Sequence, residues 1–236
     1  MKIAVDAMGG DYAPDVVVQG AVDAVFEDNV EIVLVGREPL IRKGLKGHAR
    51  GNVIGVHHCE DVVGMDESPL KALRKKKDAS IAVAFDLVKR GEADAVISAG
   101  NSGATLAAGV LALGRMEGVE RPAIASIVPT DRGPVVFIDV GANVDCRPAH
   151  LVQFGWMARA FGTSCLGMKD PSVGLLSIGE EGDKGNELVR KAHPLLRAGL
   201  TNFIGNVEGR DLFAGDVQII VCDGFVGNVA LKVAEG

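Results

Sequence analysis

The sequence predicts an α/β protein of three layers, with a mainly parallel sheet between helices and one antiparallel hairpin. Three observations predict it. Short β-rich runs alternate with amphipathic stretches almost from end to end, the pattern of parallel strands joined by helical crossovers. Aromatic residues make up only 4% and glycines number 31, so the core must be aliphatic and the turns tight. Two neighbouring strand patterns are separated only by Pro129-Thr130-Asp131-Arg132-Gly133, too short for a crossover.

Lys2 to Val5 opens the series as a strand, and Pro14 to Phe26 follows as a helix, with Pro14 at the start, where the missing N–H is no loss. Strands Val30 to Val35 and Asn52 to Val56 come next, then helix Ile81 to Lys89, strand Ala93 to Ser98 and helix Thr105 to Gly114. Ala123 to Val128 and Pro134 to Ile138 pair as the hairpin. Helix Ala149 to Phe161, strand Val173 to Ser177, helix Asn186 to Arg197, and strands Thr201 to Ile204 and Val217 to Val221 complete the alternation. A final helical pattern starts at Gly227 and stops at Gly236 after about two turns, so the chain reads as truncated at its C-terminus. With no repeat, low-complexity tract or Pro/Ser-rich linker, it reads as one continuous domain over residues 1–236.

At 47% hydrophobic and 24% charged, the 236 residues can bury a sizeable core. A formal net charge of −6 argues against a nucleic-acid partner. Cys59, Cys146, Cys165 and Cys222 form no CxxC pair, which fits a reducing cytoplasm and not a zinc knuckle. The N-terminus reaches Asp6 too soon for a signal peptide, and no apolar run approaches the roughly 20 residues of a membrane-spanning helix. Any membrane contact is expected to be peripheral.

In an open α/β sheet ligands gather beyond the carboxyl ends of the strands. The segments there are strongly patterned: Asp6 to Asp11, Ser98 to Ala104, Asp139 to Asn143, Gly179 to Asn186, Gly205 to Gly209 and Asp223 to Asn228 each combine Gly with Asn or Asp. Glycine permits close backbone approach, free N–H groups at a helix start favour anions, and Asn donates and accepts without charge, so six such loops together suit phosphate. Taken singly, each could be an ordinary turn. Gly100-Asn101-Ser102-Gly103 before the run Ala104 to Leu113 is the best anion site on a helix N-terminus, or a simple cap. No dinucleotide fingerprint, phosphate loop or GxSxG is present, so neither NAD nor ATP is implied.

Cys146 and Cys222 lie near the Gly-rich loops but read as small core residues. His57-His58-Cys59-Glu60-Asp61 reads as a polar strand edge, because adjacent side chains on a strand face opposite ways, and no metal is assigned. Arg74-Lys75-Lys76-Lys77 is the one concentrated basic run, either a solvated helix end or a docking patch for an acidic partner.

Seven ordered motifs carry a resemblance: DAMGGDYAP, MDESPLKALRKKKDAS, SAGNSGA, DVGANVDCRPAHLVQFGWM, LLSIGEEGDKGNELV, NFIGNVEGRD and VCDGFVGNVALKVAEG. Over nearly its whole length the chain resembles the phosphate acyltransferase (PlsX) family of bacterial phospholipid synthesis. The resemblance implies an α/β/α fold like that of phosphotransacetylases and isopropylmalate dehydrogenases, and a cytoplasmic homodimer that associates with the membrane. It implies acyl carrier protein as acyl donor, inorganic phosphate as acceptor, no cofactor, and delivery of the acyl phosphate to a membrane-bound glycerol-3-phosphate acyltransferase. Family members run well beyond Gly236.

Phosphate would attack the thioester carbonyl, so positioning and charge neutralisation would do most of the catalysis. Lys184 is the only Lys or Arg in the six loops and is the candidate to hold phosphate or the oxyanion, unless it pairs with Glu180 or Glu181. Asn143 and Asn228 join it as catalytic candidates. Asp6, Gly9, Gly10, Ser98, Asn101, Ser102, Gly103, Glu180, Asn186, Asn206 and Asp223 are candidates for binding phosphate or substrate, and Arg74, Lys75 and Lys76 for docking the carrier protein. A phosphotransacetylase acting on short acyl-CoA and a non-catalytic carrier-binding scaffold are the competing readings.

Overall fold

The computed structural model describes residues 1–28, 30–49 and 51–236. Their contacts group into two compact units, Met1–Gly114 and Arg115–Gly236.

The first unit alternates strand and helix: β1 (Lys2–Asp6), α1 (Asp15–Glu27), β2 (Glu31–Gly36), α2 (Glu38–Leu45), β3 (Gly55–His58), α3 (Pro69–Lys75), α4 (Ser80–Lys89), β4 (Ala95–Ser98) and α5 (Ser102–Leu113). Its sheet is wholly parallel, in the order β3-β2-β1-β4. Successive residues feed opposite faces: Val5, Ile32 and Leu34 pack with Val18, Val22 and Ile41, while Ala4, Val33 and Val35 pack with Ala84 and Leu87. Both faces are therefore buried under helices, which explains why β2 reads as an unbroken apolar run.

The second unit contains β5 (Ala125–Val128), β6 (Val135–Ile138), α6 (Pro148–Leu166), β7 (Val173–Leu176), α7 (Glu187–Gly199), β8 (Phe203–Val207), α8 (Asp211–Ala214), β9 (Ile219–Val221) and α9 (Gly224–Glu235). The order is β5-β6-β9-β7-β8. β5 and β6 form the expected antiparallel hairpin, with Val128 opposite Val135, and the other neighbours are parallel. Val136, Leu175 and Ile219 meet Leu151, Phe154 and Leu196 from α6 and α7 on one face; Val135, Phe137 and Ile220 pack with Leu212 and Val217 on the other.

The α/β class and the mainly parallel pairing follow the sequence, but the strands divide between two sheets. The strand expected at Asn52 to Val56 begins at Gly55, because Gly51–Val53 forms a 3-10 turn with Val53 exposed. The strand expected at Thr201 to Ile204 runs Phe203–Val207 instead: Gly205 and Asn206 look like turn residues, but pairing with Gly174 and Leu175 overrides that preference.

Candidate active site

Because β6, β9, β7 and β8 are parallel neighbours, the loops that follow them stand on one edge of the second unit's sheet, in that order. Three of the six Gly-rich segments are loops there; of the fourth, expected at Gly205 to Gly209, Gly205 to Val207 belong to β8 through pairing with β7, and only Glu208 and Gly209 follow the strand. The other two follow β1 and β4 on the first unit's sheet.

The Asp139–Asn143 loop is closed on itself. Asp139 is fully buried, and its Oδ1 accepts hydrogen bonds from the N–H groups of Ile124 (3.2 Å), Gly141 (3.2 Å) and Ala142 (2.9 Å). Its Oδ2 accepts from Asn143 N and Asn143 Nδ2, both at 2.8 Å. Asn143 Nδ2 also donates to the Pro122 carbonyl (2.8 Å), so the carboxylate and this amide nitrogen organise the turn.

The start of α9 is pressed onto that turn. A Cβ at Gly227 would fall 1.8 Å from the Asp139 carbonyl oxygen, and one at Gly224 would fall 2.8 Å from Asn143 N. Only glycine allows this approach. Asp223 caps the helix, its Oδ1 accepting from Phe225 N and Val226 N at 3.0 Å. Asn228 stands exposed beside Gly141 and makes no side-chain hydrogen bond among the described residues.

The Gly179–Asn186 loop is different. Asn186 caps α7 by accepting from Val189 N (2.9 Å), and Glu180 forms an exposed ion pair with Arg210 (3.3 Å). Lys184 is exposed, and its ammonium has no hydrogen-bond or ion-pair partner among the described residues, so the alternative pairing with Glu180 or Glu181 is not adopted. Beneath the loop, Asn206 is 6% exposed; its Nδ2 donates to the Glu181 carbonyl (2.7 Å) while its Oδ1 has no partner among the described residues. Ser177 Oγ is likewise sealed from solvent and unpartnered among them. His193 of α7 lies under Gly182 and edge-on to Phe203, with ring centroids 5.2 Å apart; burial first, then the charge of Arg197, holds its pKa below the ordinary 6.5.

In the first unit, Asp6 and Ser98 end paired strands. Asp6 Oδ2 accepts from Ser98 Oγ (2.7 Å), Asp6 Oδ1 from Met8 N (3.2 Å), and Ser98 Oγ from Gly100 N (3.1 Å). Gly9 fits because a Cβ there would lie 2.5 Å from Asp6 Oδ2, and Gly10 (φ 106°) sits against the Ala99 carbonyl. Asn101 caps α5 through Ala104 N (3.0 Å) and donates to the Met65 carbonyl (2.9 Å). Gly103 packs on Pro69, and Ser102 is exposed on the first turn. Arg74 and Lys75 are exposed at the end of α3, whereas Lys76 turns inward to Glu67 (2.5 Å) and the Val62 carbonyl (2.6 Å).

Cys59, Cys146 and Cys222 are poorly suited to nucleophilic catalysis. Burial pushes the Cys146 thiol up to about 11 and Cys59 to about 12, and Cys222 well above the ordinary range, so all three stay protonated at neutral pH. Among the described residues no group of three or more His, Cys, Asp or Glu is placed to hold a metal ion, and no helix is long and apolar enough to cross a membrane.

Ser177 and His193 were not among the candidates that the sequence offered. Ser177 had one legible signal, as the first polar residue after an apolar strand run; His193 had none, because its place under Gly182 arises from tertiary packing.

A family described as "Fatty acid synthesis protein" matches residues 1–236. The phosphate acyltransferase of Nitratidesulfovibrio vulgaris (strain DP4) is 56% identical over 236 residues, 99% of this chain and 68% of that protein. The phosphate acyltransferase of Desulforamulus reducens is 53% identical, over 100% of this chain and 71% of its own length. Among solved structures, EutD phosphotransacetylase from Staphylococcus aureus superposes with a TM-score of 0.69 at 20% identity, covering 100% of this chain and 81% of that one. A branched-chain phosphotransacylase from Enterococcus faecalis V583 gives 0.66 at 16% identity, covering 100% and 84%. These two share the fold. With a match that runs from the first residue to the last and relatives more than half identical, the chain belongs to the fatty acid synthesis protein family, alongside the phosphate acyltransferases.

Proposed function

We propose that the chain transfers a fatty acyl group from the thioester of acyl carrier protein to inorganic phosphate, giving an acyl phosphate for phospholipid synthesis. Its standing as an acyltransferase rests on the family and its named relatives. The observation that carries the site assignment is the ammonium of Lys184, unpaired among the described residues, on a Gly-rich loop at the carboxyl ends of parallel strands. A phosphate oxygen attacks the thioester carbonyl carbon, Lys184 offsets charge on phosphate or on the tetrahedral oxyanion, and Asn228 donates a neutral hydrogen bond. The C–S bond then breaks, and the carrier thiolate leaves and takes up a proton. Protonated Cys146 and Cys222 favour this direct route over an acyl-enzyme.

Asp6, Ser98, Asn101, Asn143, Asn186 and Asp223 each hold their own loop in shape. Both compact units form one acyltransferase domain, a reading supported by the family match across residues 1–236. The finer expectations are a cytoplasmic homodimer with peripheral membrane contact, docking of the carrier protein at Arg74 and Lys75, and hand-over of product to a membrane-bound glycerol-3-phosphate acyltransferase. The test is mass spectrometry of mixtures holding phosphate and either an acyl-carrier thioester or acyl-CoA. Acyl phosphate from the carrier thioester supports the reading; product from acyl-CoA alone points to a phosphotransacetylase, and thiol release independent of phosphate overturns acyl transfer to phosphate.

A further inference from the structure

Among the described residues, two buried side-chain oxygens have no hydrogen-bond partner, Ser177 Oγ and Asn206 Oδ1, and both lie under the loop that carries Lys184. They also share a face. Leu175 pairs with Asn206, the ladder continues through Ser177 N to the Val207 carbonyl (2.8 Å), and alternation along a strand puts Ser177 on the side of Leu175. The orientation of the Asn206 amide is fixed by its Nδ2 donation to the Glu181 carbonyl, so the unpartnered atom is an acceptor. Above Ser177, Gly185 has φ 101°, and a Cβ there would press to 2.9 Å from the hydroxyl. A polar pair buried without partners is unfavourable for the fold on its own terms.

We propose that Ser177 and Asn206 form the inner half of the phosphate site and select a protonated phosphate. The inference rests on the acyl-transfer reading above. Hydrogen phosphate brings what the pair lacks: its P–OH donates to Asn206 Oδ1, and a P–O⁻ oxygen accepts from the Ser177 hydroxyl, while Lys184 faces the remaining charge. Sulfate carries no proton at neutral pH and leaves Asn206 Oδ1 facing an anion. Entry requires the Gly179–Gly185 segment to lift; beneath, it is held by the Asn206 bond to Glu181, and on its exposed side by Arg190 to the Gly185 carbonyl and Arg210 to Glu180.

The test is phosphate binding without acyl donor, followed by phosphorus NMR line broadening in the unaltered protein and in Ser177→Ala, together with sulfate competition and thermal denaturation. Removing the orphaned hydroxyl weakens phosphate binding about tenfold, one good hydrogen bond, while melting is unchanged or rises by roughly 2 °C. A merely structural serine would lower melting and leave binding alone. In the unaltered protein, sulfate competes at least about a hundredfold less well than phosphate. Equal phosphate binding in Ser177→Ala, or sulfate competing on a par with phosphate, overturns the inference. Since no turnover is needed, absence of acyl phosphate from the carrier thioester would count against the acyl-transfer reading alone.

Discussion

Two loops at the same sheet edge look alike in sequence and differ in what their polar groups do. Asp139-Val140-Gly141-Ala142-Asn143 and Gly179 to Asn186 both mix glycine, an acid and asparagine. In the first, Asp139 accepts from three backbone N–H groups on one oxygen and from Asn143 twice on the other. In the second, Lys184 has no side-chain partner among the described residues, and the loop covers two oxygens that are unpartnered among them. Residue type marks both loops as candidates for an anion, whereas the accounting of their hydrogen bonds shows which of them has spent its polar groups on its own backbone.

The largest expected effect tests the open loop. Lys184→Ala lowers the rate of acyl-phosphate formation about a hundred- to a thousandfold, the roughly 2.7 to 4 kcal/mol of losing one oxyanion partner, with melting unchanged. If Lys184 only binds ground-state phosphate, steady-state kinetics show a raised phosphate KM and an unchanged kcat. Near-normal rates at every phosphate concentration would remove this loop from the chemistry. The closed loop predicts the reverse. Asp139→Asn puts an NH₂ where an acceptor of N–H groups stood, at a cost of about 3 kcal/mol, or roughly 6 to 12 °C in melting temperature for a chain of this size. The folded fraction keeps its rate constant per molecule. A loss of rate with melting intact would show that Asp139 belongs to the reaction.

The same contrast explains what was legible in the sequence. Strand and helix order could be read because both faces of the first unit's sheet are covered, which leaves continuous apolar runs such as Ile32 to Val35, and because the link Pro129 to Gly133 is too short for anything but a hairpin. The division into two sheets could not be read, since strand pairing is set by distant partners such as Val173 with Ile219. α2, α3 and α8 span only eight, seven and four residues, too few for a helical period to register. At the candidate site, Gly, Asn and Asp marked segments that stand at or beyond the carboxyl ends of strands. Yet Asn143, Asn186 and Asn228 carry the same side chain, and only geometry shows that the first stabilises a turn, the second caps a helix and the third stands unpartnered among the described residues.

The basic run divides along the same line and carries a smaller expected effect. Lys76 is held by Glu67 and the Val62 carbonyl, and that pairing lowers the Glu67 pKa below its ordinary value. Arg74 and Lys75 are exposed. The double change Arg74→Glu with Lys75→Glu therefore lowers kcat/KM for carrier-bound acyl groups about tenfold at low salt with little change in melting, as expected for charges that steer encounter. Raising ionic strength in the unaltered protein narrows the gap, because such steering is screened over a Debye length of about 8 Å at physiological salt. Lys76→Glu instead lowers melting, by setting a carboxylate against Glu67. Unchanged kinetics in the double variant at low salt would exclude this patch as the docking face.

The smallest effect concerns His193, which lies beneath the open loop. Burial, then Arg197, depresses its pKa below 6.5, so the folded protein holds the ring neutral. The sign follows from proton uptake. Above about pH 6.5 the ring is neutral in folded and unfolded chains alike, and its contribution to stability is fully present. As pH falls through 6.5 the unfolded chain binds the proton first and stability is lost; below the folded pKa no further loss accrues. An NMR titration of the ring gives a midpoint below 6.5, and His193→Gln flattens the melting temperature between about pH 7 and pH 5. Because the ring supports Gly182, acid lowers the hydrogen-exchange protection factor, the intrinsic rate at each pH over the observed rate, at Lys184 N, which bonds the Glu181 carbonyl at 3.0 Å, before it lowers that of Asn143 N, which bonds Asp139 at 2.8 Å. A midpoint at or above 6.5, or equal acid sensitivity at the two amides, would show that the loops are coupled and that the division between a closed and an open loop is drawn in the wrong place.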